Sequence, residues 1–113
     1  MNKAYSMLGL ANKAGMLVTG EDAVRYSIRN GKVKLAIVSE DASDNTKKRF
    51  INSAAFYKVP LITWGLKEEL GNSIGKSERS VLGITDENFS KNFKEKLTAE
   101  VIKNEKPGGA LLE

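Results

Sequence analysis

A chain of 113 residues, 41% of them hydrophobic, holds enough apolar material for one core and has no room for a second catalytic domain. It contains no cysteine and no histidine, which excludes disulfides, thiolate nucleophiles, imidazole bases and most zinc chemistry. The net charge of +4 arises entirely within residues 1–39, where six bases face two acids, while the rest of the chain balances at twelve of each; an anionic partner is therefore expected to approach the first third.

The elements follow in order. Ala4, Met7, Leu8, Ala11 and Ala14 recur at helical spacing from Lys3 onward, and Gly15 supplies a C-terminal cap. Met16 to Thr19 is apolar and strand-like, and Gly20-Glu21-Asp22 opens a second helix that reaches about Asn30 before Gly31. Lys34 to Ser39 reads as a buried strand. Ser43 or Asp44 caps a third helix whose Phe50, Ile51 and Ala54 are expected to face inward and which ends before Pro60. "LITW" is the next strand, Leu66 to Leu70 a short helix and Ser80 to Ile84 the last strand. Thr85 or Asp86 then starts a helix carrying Phe89, Phe93, Leu97 and Val101. This alternation predicts a single α/β domain over residues 1–105, one sheet between two helical layers, followed by a flexible tail over 106–113. No apolar stretch is long enough to span a membrane and no basic-then-apolar leader opens the chain, so a soluble, cytoplasmic protein is expected.

Gly71 to Ser77 imitates a phosphate loop. That motif needs four residues between its glycines, a strand before it and a helix after it, so that backbone N–H groups converge on phosphate. Gly71 and Gly75 enclose three residues, a helix precedes them and a strand follows. The reading that remains is an exposed, glycine-hinged loop carrying Lys76, Ser77 and Arg79.

The second helix is more informative. Ala23, Val24, Ser27 and Ile28 share one side, and Asp22, Arg25, Tyr26 and Arg29 share the other. Arginine bonds phosphate or guanine acceptors, tyrosine stacks on bases, and a carboxylate accepts from base donors. Glu21 and Asp22 place negative charge where a phosphate at the helix start would sit, which suits a base edge instead. The plainer account is that the two acids complement the helix dipole while the arginines are solvated.

The runs "LGLANKAGMLVTGEDAV", "LAIVSEDASDNTKKRF", "YKVPLITWGLKEELGNSIGKSER" and "ITDENF", from about Ser6 to Phe89, resemble the bacterial YlxQ-like branch of the ribosomal-protein superfamily that binds kink-turn RNA. The resemblance implies an L-thirty-e-like three-layer α/β/α sandwich with a mixed four-stranded sheet, binding to RNA with tandem sheared G·A pairs, and no enzymatic activity. It places RNA contacts at Gly20, Glu21 and Asp22, with Tyr26 standing where the superfamily carries lysine, and at a loop after Leu70, Gly71 and Gly75 that holds Lys76 to Arg79. Asp22-Ala23 stands where archaeal and eukaryotic members carry Asn-Glu, and Arg25 and Arg29 are the alternative cations on that face. Lys13, Ser77 and Arg79 complete the expected RNA-binding set. The expected partner is structured RNA, a kink-turn or ribosomal RNA, with the ribosome as a candidate assembly and no membrane, metal or nucleotide cofactor.

Two other classes compete. A protein-interaction or small-ligand module on the same fold is favoured by Tyr26. An enzyme would need a base that the chain scarcely offers, and the adjacent acids Glu40-Asp41 and Glu68-Glu69 read as a loop and a helix surface. The loop reading is testable directly: isothermal titration with ATP and GTP is expected to give no binding, and micromolar affinity lost on Lys76→Ala would restore the phosphate-loop assignment.

Overall fold

The computed structural model describes residues 2–104. The expected tail over 106–113 and the side chain of Val101 lie outside the described residues. The elements run α1 (Lys3–Lys13), β1 (Leu17–Thr19), α2 (Glu21–Arg29), β2 (Leu35–Val38), α3 (Asp44–Tyr57), β3 (Leu61–Thr63), α4 (Lys67–Ser73), β4 (Val81–Ile84) and α5 (Glu87–Asn104). Side-chain caps start three of the helices: Asn2 accepts from the Ala4 N–H at 2.7 Å, Ser43 from Thr46 at 3.1 Å and Asp86 from Phe89 at 2.8 Å. Of the paired cap candidates in the sequence, Ser43 and Asp86 are therefore the ones used.

The sheet order is β1-β4-β2-β3, with β4 antiparallel to both β1 and β2, and β3 parallel to β2. All four residues of β2 and all four of β4 are buried, as strands covered on both faces must be. Alternation divides them between two cores. Leu35, Ile37, Leu82 and Ile84 pack with Leu8, Leu70 and Phe93 beneath α1, α4 and α5. Ala36, Val38 and Val81 pack with Val24, Ile28 and Phe50 beneath α2 and α3. The result is a three-layer α/β/α sandwich around a mixed four-stranded sheet.

Two inward assignments are corrected. Ile51 is 50% exposed, because the buried stripe of α3 runs through Thr46, Phe50 and Ala54 at four-residue steps and Ile51 lies one residue, about 100°, off it. Ala23 is likewise exposed, because the stripe of α2 is Val24, Ser27 and Ile28. The fourth helix also runs past its expected end at Leu70 to Ser73. Gly71 lies inside it, where the backbone of the following loop presses against the helix: a Cβ on Gly71 would collide with the Ser77 carbonyl. The Lys76 N–H donates to Gly71 O at 2.9 Å and the Arg79 N–H to Lys67 O at 3.0 Å, so the loop is fastened back onto α4.

Gly71→Ala is expected to destabilise the protein by roughly 1–3 kcal/mol despite alanine's better helix propensity, because backbone cannot move aside as a side chain can. Asn72→Ala, one residue on and exposed, is expected within about 0.5 kcal/mol of the parent. Urea denaturation of the two variants measures the contrast.

Candidate nucleic-acid interface

Gly20 occupies φ 93°, ψ 155°, a region that only glycine adopts freely, at the N-cap of α2. Its N–H donates to Val81 O at 3.0 Å and its carbonyl accepts from Val24 at 3.0 Å, so one residue joins the end of β1, the start of β4 and the first turn of α2. Across from it lies the end of the Lys76–Arg79 loop. Thr19, Gly20 and Glu21 on one side and Glu78, Arg79 and Ser80 on the other line an open cleft of about 350 Å³. The two segments singled out in the sequence therefore meet in space.

The individual side chains divide into engaged and unengaged groups. Glu21 accepts from Arg49 Nη1 at 2.9 Å and from Thr46 Oγ1 at 3.1 Å, which ties the start of α2 to α3. Arg79 folds onto its own loop, with Nη1 donating to Ser77 Oγ at 3.0 Å and Glu78 O at 2.9 Å; this organises the loop and draws Ser77 into the same network. By contrast, Asp22, Arg25, Tyr26 and Arg29 are exposed, Tyr26 to 64%, and among the described residues their side chains make no hydrogen bond or ion pair. Lys76 is exposed at the loop's entry. Lys13 lies in the last turn of α1 beside Ser73 and Gly75, next to that entry rather than in the cleft itself.

Arg49 and Thr46 were not legible as part of this region. The local spacing offers Arg25 to Glu21 at i,i+4, yet the partner is 28 residues away on another helix. The basic run Lys47-Lys48-Arg49 was the only hint, and it points to nothing until α2 and α3 are packed together.

The loop side of the cleft depends on how α4 is held. Asp41 accepts from the Lys67 N–H at 2.9 Å, and the Tyr5 hydroxyl accepts from the Leu66 N–H at 3.1 Å while its ring packs on Trp64 at 4.6 Å. The Lys67 N–H holds the Asp41 carboxyl below its ordinary value, and burial, with Glu69 and Glu40 nearby, pushes the Tyr5 phenol up to about 12. The Asp41 contribution is present above the ordinary carboxylate value near 3.9 and is lost as pH falls through the lowered one. The Tyr5 contribution is present below about 10 and is lost as pH rises through about 12. Both anchors hold at neutral pH.

Residues 2–94 match the family model described as ribosomal protein L7Ae/L30e/S12e/Gadd45 family. The chain belongs to that family. Within it, the chain is 44% identical over 86 residues to the RNA-binding protein YlxQ of Bacillus subtilis (strain 168), covering 76% of this chain and 86% of that protein. It is 43% identical over 93 residues to the RNA-binding protein YlxQ of Enterococcus faecium, covering 82% and 89%. Among solved structures, a protein of unknown function from Bacillus halodurans C superposes with a TM-score of 0.82 at 39% identity, covering 87% of this chain and 99% of that one. The Giardia lamblia 15.5kD RNA binding protein superposes with a TM-score of 0.70 at 18% identity, over 84% and 82%, which shows that the two chains share a fold. No helix among the described residues is long and apolar enough to cross a membrane.

The Glu21–Arg49 pair is roughly 40% exposed on both sides, at 37% and 45%, so its strength should be that of a surface pair. A double-mutant cycle with Glu21→Gln and Arg49→Gln is expected to give a coupling of about 0.3–1 kcal/mol in chemical denaturation. A value near zero would leave the α2–α3 junction to the Thr46–Glu21 hydrogen bond and apolar packing.

Proposed function

We propose that this protein binds structured RNA in the translation apparatus, recognising a kink-turn with tandem G·A pairs between the first turn of α2 and the Lys76–Arg79 loop. The observation that carries the reading is the convergence of those two segments on one cleft, with a row of unengaged polar and aromatic side chains extending from it along α2. The names of the curated relatives support RNA as the partner class.

In this reading Gly20 lets the RNA approach the backbone closely. Glu21, held by Arg49 and Thr46, sets the helix start rather than contacting bases. Asp22 is then the free carboxylate, able to accept from the N1–H and N2–H₂ donors of a guanine. Arg25, Arg29, Lys13 and Lys76 neutralise phosphates, and Tyr26 supplies a stacking or edge contact where the superfamily's lysine is missing. The Arg79 network keeps the loop in shape before RNA arrives, which lowers the ordering cost of binding.

Base reading and general charge attraction differ in sign at Asp22. Asp22→Ala is expected to weaken binding to a kink-turn RNA by roughly 1–3 kcal/mol although it makes the protein more positive. Replacing the G·A guanines should weaken the parent protein by a similar amount and Asp22→Ala by much less, since both changes remove one shared contact. Tyr26→Lys should tighten the same complex. Tighter binding by Asp22→Ala, with Tyr26→Lys adding only the effect of one more charge on a plain duplex, would favour an interaction module on this fold instead. Fluorescence anisotropy with the two RNAs measures all of these.

A further inference from the structure

We propose that the opposite end of the sheet carries a second nucleic-acid site, a lysine-lined groove that holds the phosphates of a single-stranded RNA segment with Tyr57 beside its bases. It rests on the reading above only for the class of partner, and its residues are separate from those of the Gly20 cleft.

Strand pairing places the two sites at opposite ends. Gly20 is bonded to Val81 at one end of β4, and Lys34 donates its N–H to Ile84 O at the other, at 2.7 Å. At that far end, the last turn of α3, the entry to β2 and the first turns of α5 enclose a groove of about 450 Å³. Among the described residues, Lys34, Lys58, Lys91 and Lys94 line it, and Glu87 is the one acid. This local excess of +3 compares with +4 for the whole chain, so the charge is concentrated here although only Lys34 comes from the basic first third. Among the described residues none of these lysines has a carboxylate within 4 Å, which leaves them available to an external anion.

Two further features fit a strand of RNA. Tyr57, 39% exposed, lines the groove, and Phe56, 77% exposed, meets it edge-on at 4.8 Å, so aromatic surface adjoins the cations. A basic track with exposed rings is the combination that holds unpaired bases, since every base offers a face for stacking. Lys58 is also a left-handed residue at φ 59°, ψ 43°, at the end of α3. Gly15 and Gly31 supply the positive φ after α1 and α2, at 74° and 73°, whereas here lysine takes a positive φ at a steric cost. A protein surface is the weaker match, because lysine is depleted from the centres of protein–protein interfaces.

The test uses fluorescence anisotropy of labelled hexauridylate with the full chain. Lys58→Gly removes a charge while relieving the backbone, so it should remain folded, and Lys91→Gln/Lys94→Gln removes two exposed charges. Each variant is expected to weaken hexauridylate binding, the double variant by about tenfold, with the log–log salt slope shallower by about 1.4 for two single-strand phosphates. Tyr57→Ala should weaken it without changing the slope. Asp22→Ala should leave it unchanged, so failure of the kink-turn reading would show in a different measurement. Hexauridylate binding that all three groove variants retain would overturn the proposal. So would a hexaglutamate peptide that binds more tightly than hexauridylate and is lost in the same variants, since that outcome assigns the groove to an acidic protein.

Discussion

The rest of the molecule hangs on β4. It is antiparallel to both β1 and β2 and buried on both faces, and its two ends present backbone acceptors to the segments that matter. Val81 O receives the Gly20 N–H at one end, and Ile84 O receives the Lys34 N–H at the other. Neither segment could keep its position if β4 slipped by one residue, because a one-residue shift would turn Leu82 and Ile84 out of one core and Val81 out of the other. The same burial that stabilises the sheet therefore sets the geometry of both ends. At Gly83 the fit is close enough that a Cβ would lie 3.0 Å from Val18 and 3.1 Å from Val33.

Backbone contacts also shape the cleft more than side chains do. Gly20 has the dihedral angles to turn from strand into helix without a capping side chain, and Gly71 has the empty space into which the loop backbone settles. The loop's own arginine closes it from within. Such a surface is largely formed before any ligand arrives, and among the described residues Asp22, Arg25, Tyr26 and Arg29 on the outward side of α2 are left without a hydrogen-bond or ion-pair partner.

The distribution of charge takes on a different meaning in three dimensions. Along the chain, the excess lies within residues 1–39. In the fold, that segment reaches both ends of the sheet. Lys13 ends up beside Gly75, Arg25 and Arg29 lie on the face of α2, and Lys34 joins Lys58, Lys91 and Lys94 in the far groove. Glu21, which in sequence looks like a free acid beside Asp22, is claimed by Arg49 and Thr46. The local charge pattern that a partner meets is therefore not the pattern along the chain.

Much of this was determined by sequence alone. Helical spacing, the cap candidates Ser43 or Asp44 and Thr85 or Asp86, and the apolar runs at β2 and β4 specify the elements and their order, because those signals act over a few residues, while the structure chooses Ser43 and Asp86. The glycines at 20, 71 and 75 mark the turns and close approaches, and the quoted motifs carry the family. The failures were of two kinds. Ile51 and Ala23 sat one residue off a buried stripe, and helical periodicity alone does not resolve a quarter turn when alanine or a flanking isoleucine could serve either side. Arg49, Thr46 and the groove around Lys34, Lys58 and Lys91 depend on contacts between helices and strands that are remote in sequence. Only the packing of α2 against α3, and the opposed directions of β2 and β4, decide which charges neutralise each other and which remain at the surface. Electrostatic partnership depends on distance through space, and the order of residues along a chain does not encode that distance until the sheet has been assembled.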